Sequence, residues 1–176
     1  MVATSSADHS ADHSAIVAAL LPGQWCLMAT SRQVWLHTRR LAPTVDFALL
    51  RETPLTFLGT FRWVTPRKRR RHSRVHLRMD ADGSLTARGV PLIHGRERRR
   101  VAGASDDAAI IVLMVEESAP FRFGRPVQPS EGIEVLLRSG ELSEGLRASV
   151  ARSAAAFGLS AENFASLAWA DERGQF

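Results

Sequence analysis

The chain between residues 24 and 138 consists of short strand-like segments joined by connections of turn length. Leu55–Val64 is the clearest segment, because aromatic or small residues recur at every second position, as on one face of a β-strand. Asp82-Gly83 marks a tight hairpin turn, since this pair tolerates positive φ. About eight strands can be counted in this way, with no long helix between them. The pattern excludes a parallel α/β sheet and predicts a mainly all-β fold, a closed antiparallel barrel without exposed edges.

The region after the last strand is predicted to be a helix over residues 143–158. Ser143 suits the N-cap, Gly158 suits the stop, and apolar side chains recur at helical spacing along one stripe. The stripe predicts that this C-terminal helix packs on the outside of the barrel. Residues 1–14 repeat Ser-Ala-Asp-His and are predicted to form a disordered tail. Residues 15–172 are predicted to form a single domain.

The composition limits the compartment and the partners. Cys26 is the only cysteine, so no intrachain disulfide can form and nothing argues for an oxidising compartment. The apolar stretch over residues 15–21 follows aspartates rather than basic residues, so a secretory signal is not expected. No stretch has the length of a membrane span. We therefore expect a cytoplasmic protein with no membrane partner, which could form a homodimer.

Three short blocks resemble the lipocalins, within the wider calycin superfamily, and are most similar to the compact bacterial type. Leu21-Pro22-Gly23-Gln24-Trp25 resembles the first conserved block, Gly-x-Trp, and Ser105-Asp106-Asp107 resembles the second, Thr-Asp-Tyr. Leu136-Leu137-Arg138-Ser139, followed by Leu142-Ser143-Glu144, resembles the third block and the helix after it. The resemblance implies an eight-stranded up-and-down barrel whose interior holds a small hydrophobic molecule.

Trp25 and Arg138 are predicted to close one end of this barrel. An indole from the first strand can cover the end, and a guanidinium from the last strand can stack on it while donating to backbone carbonyls. Such a stack contributes about 0.5–2 kcal/mol, depending on desolvation. The alternative is that each is an ordinary strand residue. If the pair closes one end, function belongs to the other end, near Trp35, His37 and Phe123.

The predicted lining of the cavity consists of aromatic and large apolar residues from several segments. These are Trp35, Phe57, Phe61, Trp63, Leu77, Met79, Met114 and Phe123. An eight-stranded barrel has room for one small ligand, and its interior is the usual place for it. Arg78 and Arg88 are candidates to meet polar groups of the ligand, and His37 and His76 are candidates to transfer a proton.

Two arrangements remain open for His76 and Arg78, which share the face of their strand opposite Leu77. If the apolar face of that strand packs beneath the helix, both side chains point into the cavity. Otherwise they form a solvated outer face together with Arg74. We favour the outer face, because arginine is seldom buried without a partner.

Three functions are consistent with the sequence. The first is a protein that binds a small hydrophobic molecule in the barrel. The second is an enzyme, a cyclase, isomerase or lyase that acts without a cofactor on a small substrate, such as a natural product, in the same cavity. Both depend on analogy at the level of the fold. The sequence has no metal-binding, nucleophile or phosphate-loop motif, so neither a metal nor another cofactor is expected.

The third function is a basic interaction module, suggested by the run Arg67–Arg74. The net charge is +5 and the positive charge is almost entirely arginine, with Lys68 the only lysine. We expect this run to be a solvated loop or a surface for an anionic partner. Nucleic acid is disfavoured as that partner, because no aromatic residues are interleaved for base stacking.

Overall fold

The strands of the barrel follow one another closely along the chain. The computed structural model describes residues 14–36, 40–88, 96–117, 121–122, 125–126, 131–141, 144–171 and 174–176. Its strands are β1 (Gly23–Thr30), β2 (Leu41–Glu52), β3 (Leu55–Val64), β4 (Arg70–Met79), β5 (Leu85–Arg88), β6 (Arg96–Ala104), β7 (Ile110–Glu117), β8 (Phe121–Arg122), β9 (Arg125–Pro126), β10 (Gly132–Arg138) and β11 (Ala168–Trp169). Its helices are α1 (residues 14–20), α2 (Gln33–Leu36), α3 (Leu146–Arg152) and α4 (Ala161–Ala165). The predicted tail, residues 1–14, lies outside the described residues except for Ser14.

The main sheet is a closed antiparallel barrel. β1 to β7 pair in chain order, β7 pairs with β10, and β10 pairs back with β1. Eight strands therefore form an up-and-down barrel, which confirms the predicted fold. β8 and β9 form a separate two-stranded hairpin, and β11 pairs with the end of β1. Closure satisfies the backbone groups that an open edge would expose.

Alternation along the strands separates the interior of the barrel from its outer face. On β3, Phe57, Gly59 and Phe61 point inward and are buried. Gly59 leaves room for the aromatic rings, because a Cβ there would lie 3.1 Å from Val75 and 3.4 Å from the rings of Phe47 and Phe61. Each large apolar side chain that is fully buried in this way stabilises the fold by about 1.5–3 kcal/mol.

A second apolar cluster lies outside the barrel. α3 buries Leu146 and Val150 against outward residues of β10, of which Val135 is fully buried. The C-terminal helix therefore packs on the outside, as predicted, but the helix itself is shorter than residues 143–158. Residues 153–158 form turns, and they lie close to the backbone of β6. A Cβ on Gly103 would lie 2.6 Å from the Cα of Phe157.

The two ends of this C-terminal segment differ in how they are capped. Ser143, the predicted N-cap, lies outside the described residues, and the residue that precedes α3 is Gly145, with φ 71° and no side-chain cap. Gly158, the predicted stop of the helix, has φ 66° and instead ends the turns that follow α3, where the N–H of Leu159 donates to the carbonyl of Ala154 at 2.9 Å. No helix in the described ranges is long and apolar enough to cross a lipid bilayer.

Candidate functional site

The two ends of the barrel carry different connections. α1 covers the end where β1 begins, and the short connections β2–β3, β4–β5 and β6–β7 lie at that same end. The β1–β2 connection, which contains α2, and the basic β3–β4 loop lie at the opposite end. We call this opposite end the open end.

Arg138 and Trp25 close the covered end. The guanidinium carbon of Arg138 lies 4.2 Å from the centre of the Trp25 ring. The same guanidinium donates hydrogen bonds of 3.1–3.3 Å to the backbone carbonyls of Leu20, Pro22 and Ala108. The predicted stack is confirmed, and its contacts join α1, the start of β1 and the β6–β7 turn.

A buried charge cluster fills the interior near the open end. It consists of Glu134, which points inward from β10, Glu97 and Arg99 on β6, and Arg32 just after β1. Glu134 accepts hydrogen bonds from Arg32 Nη1 at 2.6 Å and from Arg99 Nη1 at 2.5 Å. Glu97 accepts from Arg32 Nη2 at 2.8 Å and from Arg99 Nε at 2.5 Å. The two guanidinium groups and two carboxylates therefore balance one another in charge.

Mutual pairing allows these charges to be buried. Arg32, Arg99 and Glu134 are 2%, 3% and 1% exposed, and an unpaired charge at such sites would be strongly unfavourable. Burial alone would raise the pKa of Glu134, but Arg99 and Arg32 lower it to about 2. Burial alone would lower the pKa of Arg32, but Glu134 and Glu97 raise it above its ordinary value. The Glu134 carboxylate and the Arg32 guanidinium are therefore both charged near neutral pH.

The turn after β1 positions Arg32. The Thr30 hydroxyl donates to the carbonyl of Ile133 at 2.9 Å and accepts from the N–H of Arg32 at 3.0 Å. The Ser31 hydroxyl accepts from the N–H of Ile133 at 3.0 Å. This turn is therefore fastened to β10, one residue before Glu134. The same contacts hold the guanidinium of Arg32 beside the carboxylate of Glu134.

Two aromatic rings, those of Trp35 and Phe61, contact the cluster. Trp35, on α2, donates its indole N–H to Glu134 at 2.8 Å, and its ring lies 6.2 Å from that of Phe61. Arg40 stacks between two indoles, at 5.1 Å from Trp35 and 4.5 Å from Trp63. Burial, and then the charge of Arg32, lower the pKa of Arg40. Trp35 thus connects a loop helix to both the charge cluster and the apolar interior.

The interior beside Trp35 is nearly filled. Leu27, Val45, Phe61 and Leu136 line a pocket there with a volume of about 10 Å³. A space of this size holds no more than one water molecule. Room for a larger molecule at this position requires movement of the side chains that line it.

Most of the predicted lining residues point into the barrel. Trp35, Phe57, Phe61, Leu77 and Met79 are buried in the interior cluster, and Trp63 packs against it partly buried. Met114 instead lies on the outer face of β7, because its neighbours Leu113 and Val115 point inward and the strand alternates. Phe123 lies outside the described residues.

The predicted polar residues are not brought together in the interior. His76 and Arg78 are exposed on the outer face of β4, which is the arrangement that the sequence favoured. His37 and the side chain of Arg88 lie outside the described part of the chain. Among the residues that the structure describes, no group of His, Cys, Asp or Glu is arranged to hold a metal ion.

None of the four residues of the charge cluster was among the predicted site residues. One signal was present: Glu134 is a carboxylate inside the apolar strand Ile133–Leu137, where a charged side chain needs a buried partner. Arg99 belongs to the run Arg96–Arg100 and resembles its exposed neighbours in sequence. Only the register of β6 shows that Arg99 points inward while Arg98 and Arg100 point outward.

Neither a family model nor a curated protein sequence matches this chain. Among solved structures, it is similar to lobster apocrustacyanin A1, with a TM-score of 0.60 and 11% identity, over 93% of this chain and 85% of that one. Apocrustacyanin C2 gives a TM-score of 0.61 at 9% identity, over 91% of this chain and 83% of that one. Aphrodisin, a sex pheromone from female hamster, gives a TM-score of 0.52 at 11% identity, over 84% of this chain and 92% of that one. At such identities the likeness concerns the fold alone, and we conclude that this chain has the lipocalin fold.

Proposed function

We propose that this protein binds a small hydrophobic molecule in the interior of its barrel. An eight-stranded barrel has the diameter to hold one small ligand. The interior from the covered end to the charge cluster is lined by large apolar side chains, including Phe57 and Leu77. The lipocalin fold agrees with this function by analogy.

One observation carries the proposal: Trp35 enters the barrel from a loop rather than from a strand. Its helix, α2, has a single turn in the β1–β2 connection. Trp35 can therefore leave the interior without breaking any pairing of the sheet. Because the pocket beside it holds only about 10 Å³, the proposed ligand occupies the place of the Trp35 ring, between Phe61 and Leu136.

A titration with a neutral apolar fluorophore, such as N-phenyl-1-naphthylamine, tests the proposal. We expect saturable binding, a rise in probe emission and quenching of tryptophan emission. Trp35→Ala removes the ring that fills the site, so it is expected to bind the probe at least as tightly as the unmodified chain. The matched control is Trp169→Phe, because Trp169 packs against Phe164 outside the barrel and its change leaves the interior intact.

Two results would contradict the proposal. One is the absence of saturable binding in both the unmodified chain and Trp35→Ala, since the second has its interior space open. The other is binding that Trp169→Phe weakens and Trp35→Ala leaves unchanged. That pattern would place the probe beneath α4, outside the barrel.

An enzyme that acts without a cofactor is the second candidate function. It needs a group that exchanges a proton near neutral pH inside the cavity. Within the described interior, Glu134 is held ionised with a pKa of about 2, and its oxygens already accept from Arg32, Arg99 and Trp35. A carboxylate in this state is a weak base. The enzyme hypothesis thus depends on His37, because His76 is exposed on the outer face.

A further inference from the structure

The outer face of β4 is entirely basic. The outward residues of this strand are Arg70, His72, Arg74, His76 and Arg78, and all are exposed. Alternate residues of a strand lie about 7 Å apart, so the row extends over about 27 Å. A row of one charge sign produces a local field that attracts anions.

A groove lies across the part of this face nearest the open end. Its volume is about 450 Å³, within the size range of sites for small molecules. Two cross-strand rows line it: Thr44, Arg62 and His72 are neighbours on β2, β3 and β4, and Thr60 and Arg74 are neighbours in the next row. Every one of these side chains has a hydrogen-bond donor at its end.

The guanidinium groups of the groove are largely free to bind a ligand. Within the described residues, Arg70 and Arg74 form no ion pair. Arg62 has one contact, with Asp46 at 3.7 Å, and both side chains are more than a third exposed. Such a pair contributes little, because solvent screens it. These three of the four arginines that line the groove therefore face one carboxylate, Asp46, at its margin.

We propose that this groove binds a small anion that carries two or more linked phosphate groups. Guanidinium is suited to phosphate, because its planar donors match two phosphate oxygens at once. Arg70 and Arg74 are about 14 Å apart along β4, with Arg62 beside them on β3, so a single phosphate cannot reach all three as well as a chain of phosphates can. The threonine hydroxyls supply further donors to the same oxygens.

A small ligand fits this site better than a polymer or a membrane. One lining residue of the groove, Ala42, is bound to the C-terminal segment: its N–H donates to the carbonyl of Gly174 at 2.8 Å. Trp63 is the aromatic residue at the groove, and Arg40 already covers its ring. The exposed large apolar side chains, Ile16, Leu49 and Leu50, are not among the residues that line the groove, so it offers no apolar anchor for a bilayer.

Isothermal titration of the full chain with tripolyphosphate tests the site. We expect one molecule to bind per chain, more tightly than orthophosphate at equal ionic strength, with affinity falling as salt is added. Arg62→Ala and Arg74→Ala should each weaken binding about tenfold, as expected for loss of one charged hydrogen-bonding group. Arg74→Lys should recover only part of the loss, because lysine keeps the charge but not the planar donors.

The control variant is Arg152→Ala, which removes an exposed arginine from α3, outside the groove. Equal weakening by Arg152→Ala and Arg74→Ala would overturn the proposal, because it would show an effect of net charge alone. Orthophosphate binding as tight as tripolyphosphate binding would also overturn it. So would much tighter binding of duplex DNA that depends on Arg67–Arg69, since the ligand would then be a nucleic-acid backbone. Binding of the apolar fluorophore should not change in Arg74→Ala, so this site can fail independently of the barrel function.

Discussion

Arg138 and Trp25 are cross-strand partners in the pairing of β10 with β1, and the same two side chains stack at 4.2 Å. This pair of residues therefore joins the last strand of the barrel, β10, to the first, β1, and covers one end of the barrel. The three carbonyls that Arg138 binds belong to segments that are distant in the chain, before β1 and between β6 and β7. The arrangement assigns this end to structure, and the proposed ligand would enter at the open end.

Arg138→Ala is expected to lower the free energy of unfolding by about 3 kcal/mol, because it removes the stack and leaves backbone carbonyls without their charged donor. Urea-induced unfolding followed by tryptophan emission measures the loss. Binding of the apolar fluorophore should persist wherever the variant is folded. A stable variant that no longer bound the fluorophore would contradict the assignment of this end to structure.

Gly23→Ala is expected to destabilise the protein because the added methyl group would clash with Arg138. Gly23 has φ 123°, a conformation that side chains disfavour, and a Cβ there would lie 2.8 Å from Arg138 Nη1. We expect a loss of about 2 kcal/mol. In the Arg138→Ala background the clash is absent, so the loss should be smaller. Equal losses in both backgrounds, measured by urea unfolding as a double-mutant cycle, would show that backbone strain alone is responsible.

Glu134 is expected to make stability depend on pH in the acid range. Its pKa falls from an ordinary value of 4.5 when unfolded to about 2 when folded. The stabilisation is therefore complete above about pH 4.5 and is lost as the pH falls toward 2, by about 3 kcal/mol in all. Thermal or urea unfolding between pH 2 and 6 measures this slope.

Glu134→Gln is expected to remove most of that slope and to lower stability at neutral pH by about 3–5 kcal/mol, because it leaves two buried guanidinium groups with one carboxylate. Asp46→Asn is the matched control, since this carboxylate is partly exposed and its ion pair with Arg62 is long. An unchanged slope in Glu134→Gln would mean that other carboxylates, such as Glu97, control the acid transition.

Gly103→Ala is expected to displace residues 153–158 from β6. The added Cβ would lie 2.6 Å from the Cα of Phe157, and backbone cannot yield as a flexible side chain can. We expect a loss of about 2 kcal/mol and faster hydrogen exchange at the N–H of Phe157, which bonds to the carbonyl of Ser153 at 3.1 Å. Gly140→Ala is the control for exchange: nothing lies within 4 Å of its Cβ position, so exchange at the Phe157 N–H should stay unchanged, although its φ of 96° makes alanine unfavourable there. Unchanged exchange in Gly103→Ala would show that this close packing is not maintained in solution.

Much of the fold could be predicted from local patterns. Alternation in Leu55–Val64 and the Asp82-Gly83 turn each act over a few residues, so they are visible before any long-range contact is known. The pairing of Trp25 with Arg138 could be predicted because both residues lie at strand ends that the closed topology brings together. Trp35 and Phe61 lie in the interior cluster, and the alternation of β3 indicated this for Phe61.

The charge cluster and the basic groove depend on register. Arg98 and Arg99 have the same chemistry and adjacent positions, yet Arg98 is exposed and Arg99 is buried beside Glu134. A shift of one residue in β6 would exchange them. Similarly, Arg62 lies beside His72, and Arg74 beside Thr60, only because of how β3 and β4 pair. The sequence by itself determined the strands, their turns and the closure of one end, because those depend on local alternation and backbone preference. The tertiary structure decided which charges are buried together and which face solvent, because that depends on the alignment of strands distant in the chain.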